Sequence, residues 1–281
     1  MPKRVIINAD DSGFSAGINE GILVAHRRGV LTSTTLATNM PAAEDALARL
    51  ADAPGLGVGI HLNVCQGPAL SDLGRSRLAD PQTGLMNWTA KKLAMATLFC
   101  PGLVGAIEAE YDAQIRWAVE RGLHPTHVDS HRHTHAFPPL FRVACRLARR
   151  HNIRFVRWPI EHLRGKGWPA TTGKQRNVAR LLRMFGWVDR LFAGRLRGTA
   201  GTWGIAHTGS ISAEWLSLAA QFAPQSALEI MVHPGYSRDL EPAISRLTDS
   251  RDRELQALCE PAVRSAFQRA GVELIHYGQL A

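Results

Sequence analysis

Residues 4 to 13 read Arg4-Val5-Ile6-Ile7-Asn8-Ala9-Asp10-Asp11-Ser12-Gly13, an apolar run that gives way to two adjacent carboxylates and a Ser-Gly break. A helical pattern follows from Ala16 to Arg28 and stops at Gly29. A short apolar run followed at once by a helix is the start of a βα unit. In parallel α/β folds the chemistry collects at the carboxyl ends of strands, where Asp10 and Asp11 stand. There one carboxylate can bind a cation while its neighbour, turned to the other side of the backbone, is free to move protons. Asp and Ser also make good helix caps and turns, so the pair has a purely structural reading as well.

The same rhythm continues along the chain. Strand-like runs are expected at Ser33 to Asn39, Gly57 to Asn63, Thr126 to His131, Phe155 to Pro159, Gly201 to Ile205, Leu228 to Pro234 and Val272 to Tyr277, with helical patterns between them. Eight such runs fit an α/β fold of the (β/α) barrel type with seven or eight parallel strands, complete or distorted. Although 281 residues exceed the common size of one domain, barrels of this length form a single domain, here residues 1–281. Two insertions interrupt the alternation. Residues 66–110 hold a Gly/Pro/Asp-rich loop and an apolar helix pattern from Thr89 to Phe99, and residues 162–200 are rich in Arg, Lys, Gly and Trp.

Composition narrows the class. With 45% hydrophobic and 20% charged residues the chain is ordinary for a globular protein, and no uninterrupted apolar stretch is long enough to span a bilayer. Strand-like sequence begins by Val5, leaving no room for a signal peptide, so a cytoplasmic location is expected. Cys65, Cys100, Cys145 and Cys259 lack CxxC spacing, which argues against a disulfide framework and a thiolate zinc site. A formal charge of +9 suits an anionic partner, whether nucleic acid, phosphorylated substrate or membrane surface, without choosing among them.

Polar groups recur at the predicted strand ends: His61 and Asn63 at the third, Arg157 at the fifth and His233 after the run Leu228 to Val232. The fourth ends in His127-Val128-Asp129-Ser130-His131-Arg132-His133-Thr134-His135. On an extended chain His127, Asp129, His131, His133 and His135 share one face. They cannot all be ligands, because a catalytic transition-metal site takes about three protein ligands and keeps a position for water. One aspartate and two well-separated histidines satisfy that count. A hydrogen-bonded structural role remains open for His127, His133 and His135, a structural ion pair for Arg157, and a turn before Pro234 for His233.

Five blocks in order, NADDSGFSAGINEGI at 8–22, GIHLN at 59–63, THVDSHRHTH at 126–135, VRWP at 156–159 and MVHPGY at 231–236, resemble the YdjC-like carbohydrate deacetylases, a family that includes chitooligosaccharide and hopanoid-associated deacetylases. The resemblance runs from Arg4 to the last strand. It departs at Ser12, where the family usually has Phe, and in the basic Trp-containing insertion. It implies that Asp11, His61 and His131 bind one divalent metal ion, that Asp10 is the catalytic base, that His233 is the general acid, and that Arg157 orients or charge-balances Asp10. The implied reaction removes an N-acetyl group from an N-acetylglucosamine-type sugar, oligosaccharide or glycolipid, releasing acetate. The implied metal is magnesium or zinc; two imidazoles and a carboxylate favour zinc on ligand chemistry. Asp129 is expected to fix an imidazole, and His133 and Asn63 to support the site or the substrate.

Substrate clues are confined to the insertions. Trp88, Trp158, Trp168, Trp187 and Trp203 lie near loops and strand ends where indoles can stack on sugars, although core packing is their commoner use. The stretch Asn177 to Arg197 is basic and amphipathic, which suits either a covered core or peripheral contact with the inner membrane surface. Oligomeric state is left open, a homodimer included. Two rivals compete: a phosphoesterase or amidohydrolase barrel, which would place HxH rather than Asp-Asp after the first strand, and a non-catalytic basic protein binding nucleic acid or membrane. No helix-turn-helix or zinc-finger pattern supports nucleic-acid binding, and none is expected.

Overall fold

In the computed structural model, residues 3–161, 168–241 and 244–280 are described; residues 162–167 of the second expected insertion lie outside them. Ten strands follow in chain order: β1 (Lys3–Ser12), β2 (Ser33–Leu36), β3 (Gly57–Leu62), β4 (Gln66–Pro68), β5 (Leu85–Asn87), β6 (His127–Ser130), β7 (Phe155–Val156), β8 (Thr202–Trp203), β9 (Leu228–Val232) and β10 (Val272–Leu274). Eight of them form one sheet in the order β7-β6-β3-β2-β1-β9-β8, with β10 paired to the start of β1, and every pairing in it is parallel. All eight expected strands are present, and the mostly parallel sheet curls into a barrel-like α/β fold. β4 and β5 form a separate antiparallel hairpin inside the first expected insertion.

The edges β7 and β8 meet without a regular ladder. The Thr202 N–H donates to the Ile160 carbonyl at 3.1 Å, and Thr202 Oγ1 donates to the Trp158 carbonyl at 3.0 Å. A Cβ on Gly201 would stand 2.2 Å from the Ile160 carbonyl oxygen, so only glycine lets the edges come this close. The expected strand 155–159 is cut to two residues, in keeping with Pro159, which has no N–H to offer a neighbour.

Local chemistry sets the first unit. Ser15 caps the helix Ala16–Arg28 by accepting the Ile18 N–H, and His26, Arg27 and Arg28 occupy the last turn, where the helix dipole favours cations. Gly29 follows because a side chain there would collide with the Leu258 carbonyl oxygen, 2.4 Å from an ideal Cβ. β1 is buried from Val5 onwards on both faces, as a central strand sandwiched by the barrel interior and the helices must be. The insertion is shorter than expected at its far end: residues 101–120 form one helix, Pro101–Glu120, which packs against β3 and the helix Pro138–Arg150 as a barrel helix does.

The stretch expected to be basic and amphipathic forms the helix Gly173–Ala193, opened by a capping box between Thr172 and Gln175. Its inner face holds Ala179, Leu182, Gly186 and Ala193, and also Asp189. Neither Asp189 carboxylate oxygen has a hydrogen-bond partner, and burial pushes its pKa up to about 8. Between about pH 4 and pH 8 the folded chain therefore keeps a proton that the unfolded chain releases, so stability falls as pH rises through that window. Asp189→Asn is expected to flatten this slope and to raise the melting temperature at pH 8 by roughly 2–4 °C, corresponding to about 1 kcal/mol. Thermal melts of both proteins at pH 5 and pH 8 check this; an unchanged slope in the variant would place the carboxylate in contact with water or a cation.

Candidate active site

The barrel mouth is shaped by an irregularity in β1. The pairing of β1 with β2 slips between Ala9 and Ser12, and Asp11 takes a left-handed backbone with φ 68°. That conformation costs a non-glycine residue about 1 kcal/mol or more. It corrects the expectation that the two carboxylates turn to opposite sides of the chain. Both line one cavity of about 600 Å³, together with His61, His131, His133 and His233.

Asp11 is the hub of one half. Its Oδ1 lies 3.3 Å from His61 Nε2 and 3.1 Å from His131 Nδ1, while its Oδ2 accepts a 2.5 Å hydrogen bond from the buried Arg251. His61 is oriented from behind, with Nδ1 2.8 Å from Asp129 Oδ1, and Thr35 Oγ1 donates to the other Asp129 oxygen at 3.1 Å. Nε2 of His61 and Nε2 of His131 are buried with no hydrogen-bond partner. Burial opposes a charge on His61, but Asp129, Asp11 and Asp10 outweigh it and raise its pKa to about 10. Carboxylates thus hold a proton on this imidazole in a place where a cation could equally sit.

Asp10 anchors the other half. Arg157 donates to both of its oxygens, at 2.7 and 2.6 Å, and Asn8 Nδ2 adds a third bond at 3.1 Å. The same guanidinium reaches Asp129 at 2.8 Å and Glu229 at 2.7 Å, and Glu229 also accepts from Thr202 and Tyr277. Burial opposes ionisation of Asp10, yet Arg157 holds its pKa below the usual carboxylate value. His233 hangs from β9 with its backbone N–H on Glu254 at 2.7 Å and its ring Nδ1 unpartnered. Burial pushes its pKa down to about 4, so the ring is neutral in the resting site.

The donor set fits a divalent ion. Asp11, His61 and His131 offer one carboxylate oxygen and two ring nitrogens within 4.8 Å of one another. Ligands about 2.0–2.1 Å from a tetrahedral zinc lie roughly 3.3 Å apart, close to the separations of Asp11 from the two imidazoles. Charge agrees: Asp10, Asp11, Asp129 and Glu229 are four buried carboxylates facing two buried guanidinium groups, Arg157 and Arg251. With all of them ionised and His61 protonated, one negative charge stays unbalanced, and without that proton two do, an excess that a divalent cation in place of the proton would offset.

The histidine segment departs from the expected alternation. β6 ends at Ser130, and His131–Ala136 coils into a short 3-10 turn with left-handed Arg132 and His133 at φ 55° and 54°. Of the five alternating residues Asp129, His131 and His133 reach the site, and Arg132 lines the cavity beside them. His127 instead stacks on Tyr277 at 3.8 Å, and His135 bridges Ser130 Oγ and the Arg157 carbonyl. Asn63 also falls outside the cavity lining: its side chain ties Asn39, Cys65 and Gln66 together at the root of the hairpin. Sequence reasoning missed Arg251, Thr35, Glu254 and Glu229. Of these only Glu229 left a local trace, a charge inside the apolar run of β9.

Comparison with known proteins gives a consistent picture. A family model described as YdjC-like protein matches residues 4–269. A carbohydrate deacetylase of Geobacillus stearothermophilus is 32% identical over 277 residues, covering 99% of this chain and 98% of that protein. A chitooligosaccharide deacetylase of an Enterobacter species, strain 638, is 38% identical over 155 residues, covering 54% of this chain and 58% of that protein. A crystal structure from Enterococcus faecalis V583, named for cellobiose-phosphate cleavage, superposes with a TM-score of 0.79 at 25% identity over 100% of both chains.

Proposed function

Because the chain belongs to the YdjC-like family, we propose that it is a metal-dependent hydrolase that removes the acetyl group from an N-acetylglucosamine-type sugar, an oligosaccharide or a glycolipid, leaving the free amine and acetate. The observation that carries this reading is the division of labour between adjacent residues at one cavity. Asp11 Oδ1 stands 3.3 Å from His61 Nε2 and 3.1 Å from His131 Nδ1, and Asp10 is clamped by Arg157 beside it. The relatives, a carbohydrate deacetylase and a chitooligosaccharide deacetylase, support the substrate class.

Asp11, His61 and His131 would hold the ion, with zinc favoured over magnesium by the two nitrogen donors. A divalent cation supplies Lewis-acid polarisation of the acetamide carbonyl and acidifies water in its shell. Asp10 takes the proton of the attacking water. Its low basicity suits a base that acts on an already acidified proton, and the Arg157 fork keeps both oxygens from rotating away. Asp129 fixes the His61 ring so that Nε2 presents a lone pair to the cavity. His233 is neutral at rest; negative charge building on the tetrahedral carbon's oxygen raises its proton affinity, so the ring takes a proton from solvent and passes it to the departing nitrogen as the C–N bond breaks, while the proton held by Asp10 returns to solvent. His133 lines the cavity and would contact the sugar.

The test is acetate release. Purified protein loaded with zinc or magnesium is expected to liberate acetate from N-acetylglucosamine oligosaccharides or N-acetylglucosaminyl lipids, and chelation is expected to stop it. Absence of acetate from both substrate classes with either ion would overturn the proposal, and phosphate release from a sugar phosphate would favour the rival hydrolase reading.

A further inference from the structure

Beside the catalytic cavity lies a second hollow of about 620 Å³ between the helices Ala90–Phe99 and Gly173–Ala193, walled by Leu93, Met95, Leu98, Leu181, Leu182 and Phe185. The two hollows share Ala90, Arg132, His133 and Val178, so they open side by side. Apolar surface continues outward from this groove. Leu181, Met184, Val188 and Leu191 form an exposed stripe on the longer helix, and Leu98 and Phe99 stand out from the shorter one, with Leu191 80% and Phe99 75% exposed. Side chains of this size are not left in water over two neighbouring helices without a partner.

Charge decides which partner. Arg176, Arg180, Arg183 and Arg190 are exposed and run along one side of the apolar stripe at helical spacing, and Lys91, Lys92 and Lys174 are exposed on the same two helices. Asp189 is the one acidic residue in either helix, and it is buried. A second copy of this chain seated on the face would bring one arginine row against another, whereas an anionic lipid surface neutralises the row and takes up the apolar stripe. No helix among the described residues is long and apolar enough to cross a membrane, so the contact would be peripheral.

We propose that the face built by helices Ala90–Phe99 and Gly173–Ala193 docks on an anionic bilayer surface, its apolar stripe and groove in the acyl boundary and its arginines among the headgroups. Docked this way, the mouth of the catalytic cavity lies at the headgroup level. The inference is independent of the deacetylation reading, because lipid binding is measured without any sugar.

Sedimentation with large vesicles of phosphatidylcholine, with and without phosphatidylglycerol, tests it. The protein is expected to sediment with the anionic vesicles, less at high salt, and to show a blue shift of tryptophan emission that Trp187→Phe diminishes. The pair Arg180→Glu and Arg183→Glu, and separately the pair Phe99→Glu and Leu191→Glu, are each expected to weaken binding about tenfold or more. These positions are exposed, so unchanged circular dichroism and melting temperature confirm that the variants fold. No sedimentation with anionic vesicles would overturn the proposal, and so would binding that neither pair weakens. A concentration-dependent dimer that the apolar pair abolishes, with no vesicle binding, would assign the face to a second copy instead.

Discussion

Asp11→Asn is expected to lose both the divalent ion and deacetylation, whereas Asp10→Asn keeps the ion and loses only turnover. The two carboxylates are neighbours in sequence and share a cavity, yet their partners differ entirely. Asp11 contacts His61, His131 and Arg251, and Asp10 contacts Arg157 and Asn8. An amide at position 11 removes the negative charge that would hold the cation and leaves Arg251 buried opposite a neutral group. Metal measured after dialysis should fall to background, and kcat/KM should drop by about a thousandfold or more, since both carbonyl polarisation and water acidification are lost. An amide at position 10 preserves shape and the proposed metal ligands but cannot accept a proton; removal of a general base lowers kcat by about 10²–10⁴-fold. Mass-spectrometric metal analysis beside acetate assays separates the cases. Full metal retention in Asp11→Asn would reject the ligand assignment, and wild-type turnover in Asp10→Asn would reject the base.

The second large effect concerns stability as much as catalysis. Arg157 is fully buried and pairs with Asp10, Asp129 and Glu229 at 2.6–2.8 Å. Arg157→Leu fills much of its volume but strands three buried carboxylates without their shared cation. Breaking a buried ion network by deleting one partner destabilises by about 3–5 kcal/mol. For a chain of this size that lowers the melting temperature by roughly 10 °C or more, or leaves the protein insoluble. Arg157→Lys restores a charge without the planar fork that serves two oxygens of Asp10 and one of Glu229 together, so it should recover part of the stability and little of the activity. Urea unfolding at pH 7 reads the first effect and acetate release the second. A midpoint for Arg157→Leu matching wild type would mean that the carboxylates are protonated or water-bound and that the network carries little stability.

Much of this was legible before folding. The eight strand runs, the Asp-Asp pair, His61, His131, Arg157 and His233 announce themselves because each ends a local apolar pattern of strand period. The five ordered blocks place the chain in its family for the same reason: motifs at strand ends are short and contiguous. The histidine run shows where such reading stops. Alternation assigned five residues to one face, but two left-handed residues after Ser130 re-aim the segment, and no period-2 argument anticipates them. The separation of His127 and His135 from the site follows from contacts with Tyr277 and the Arg157 carbonyl, both distant in sequence.

The sequence by itself determined the alternating strands and helices, the ends at which polar groups gather, and the residue types that can bind an ion and move a proton. These depend on backbone periodicity and side-chain chemistry, which are local. Tertiary structure alone decided that Glu229 shares Arg157 with Asp10 and that Arg251, 240 residues along the chain from Asp11, closes on its carboxylate. It also decided which side of the helix Gly173–Ala193 stays uncovered. The physical reason is the same throughout. A charge pair or a packed face exists only when two distant segments arrive at the same place, and neither segment carries a mark of the other until the barrel has curled.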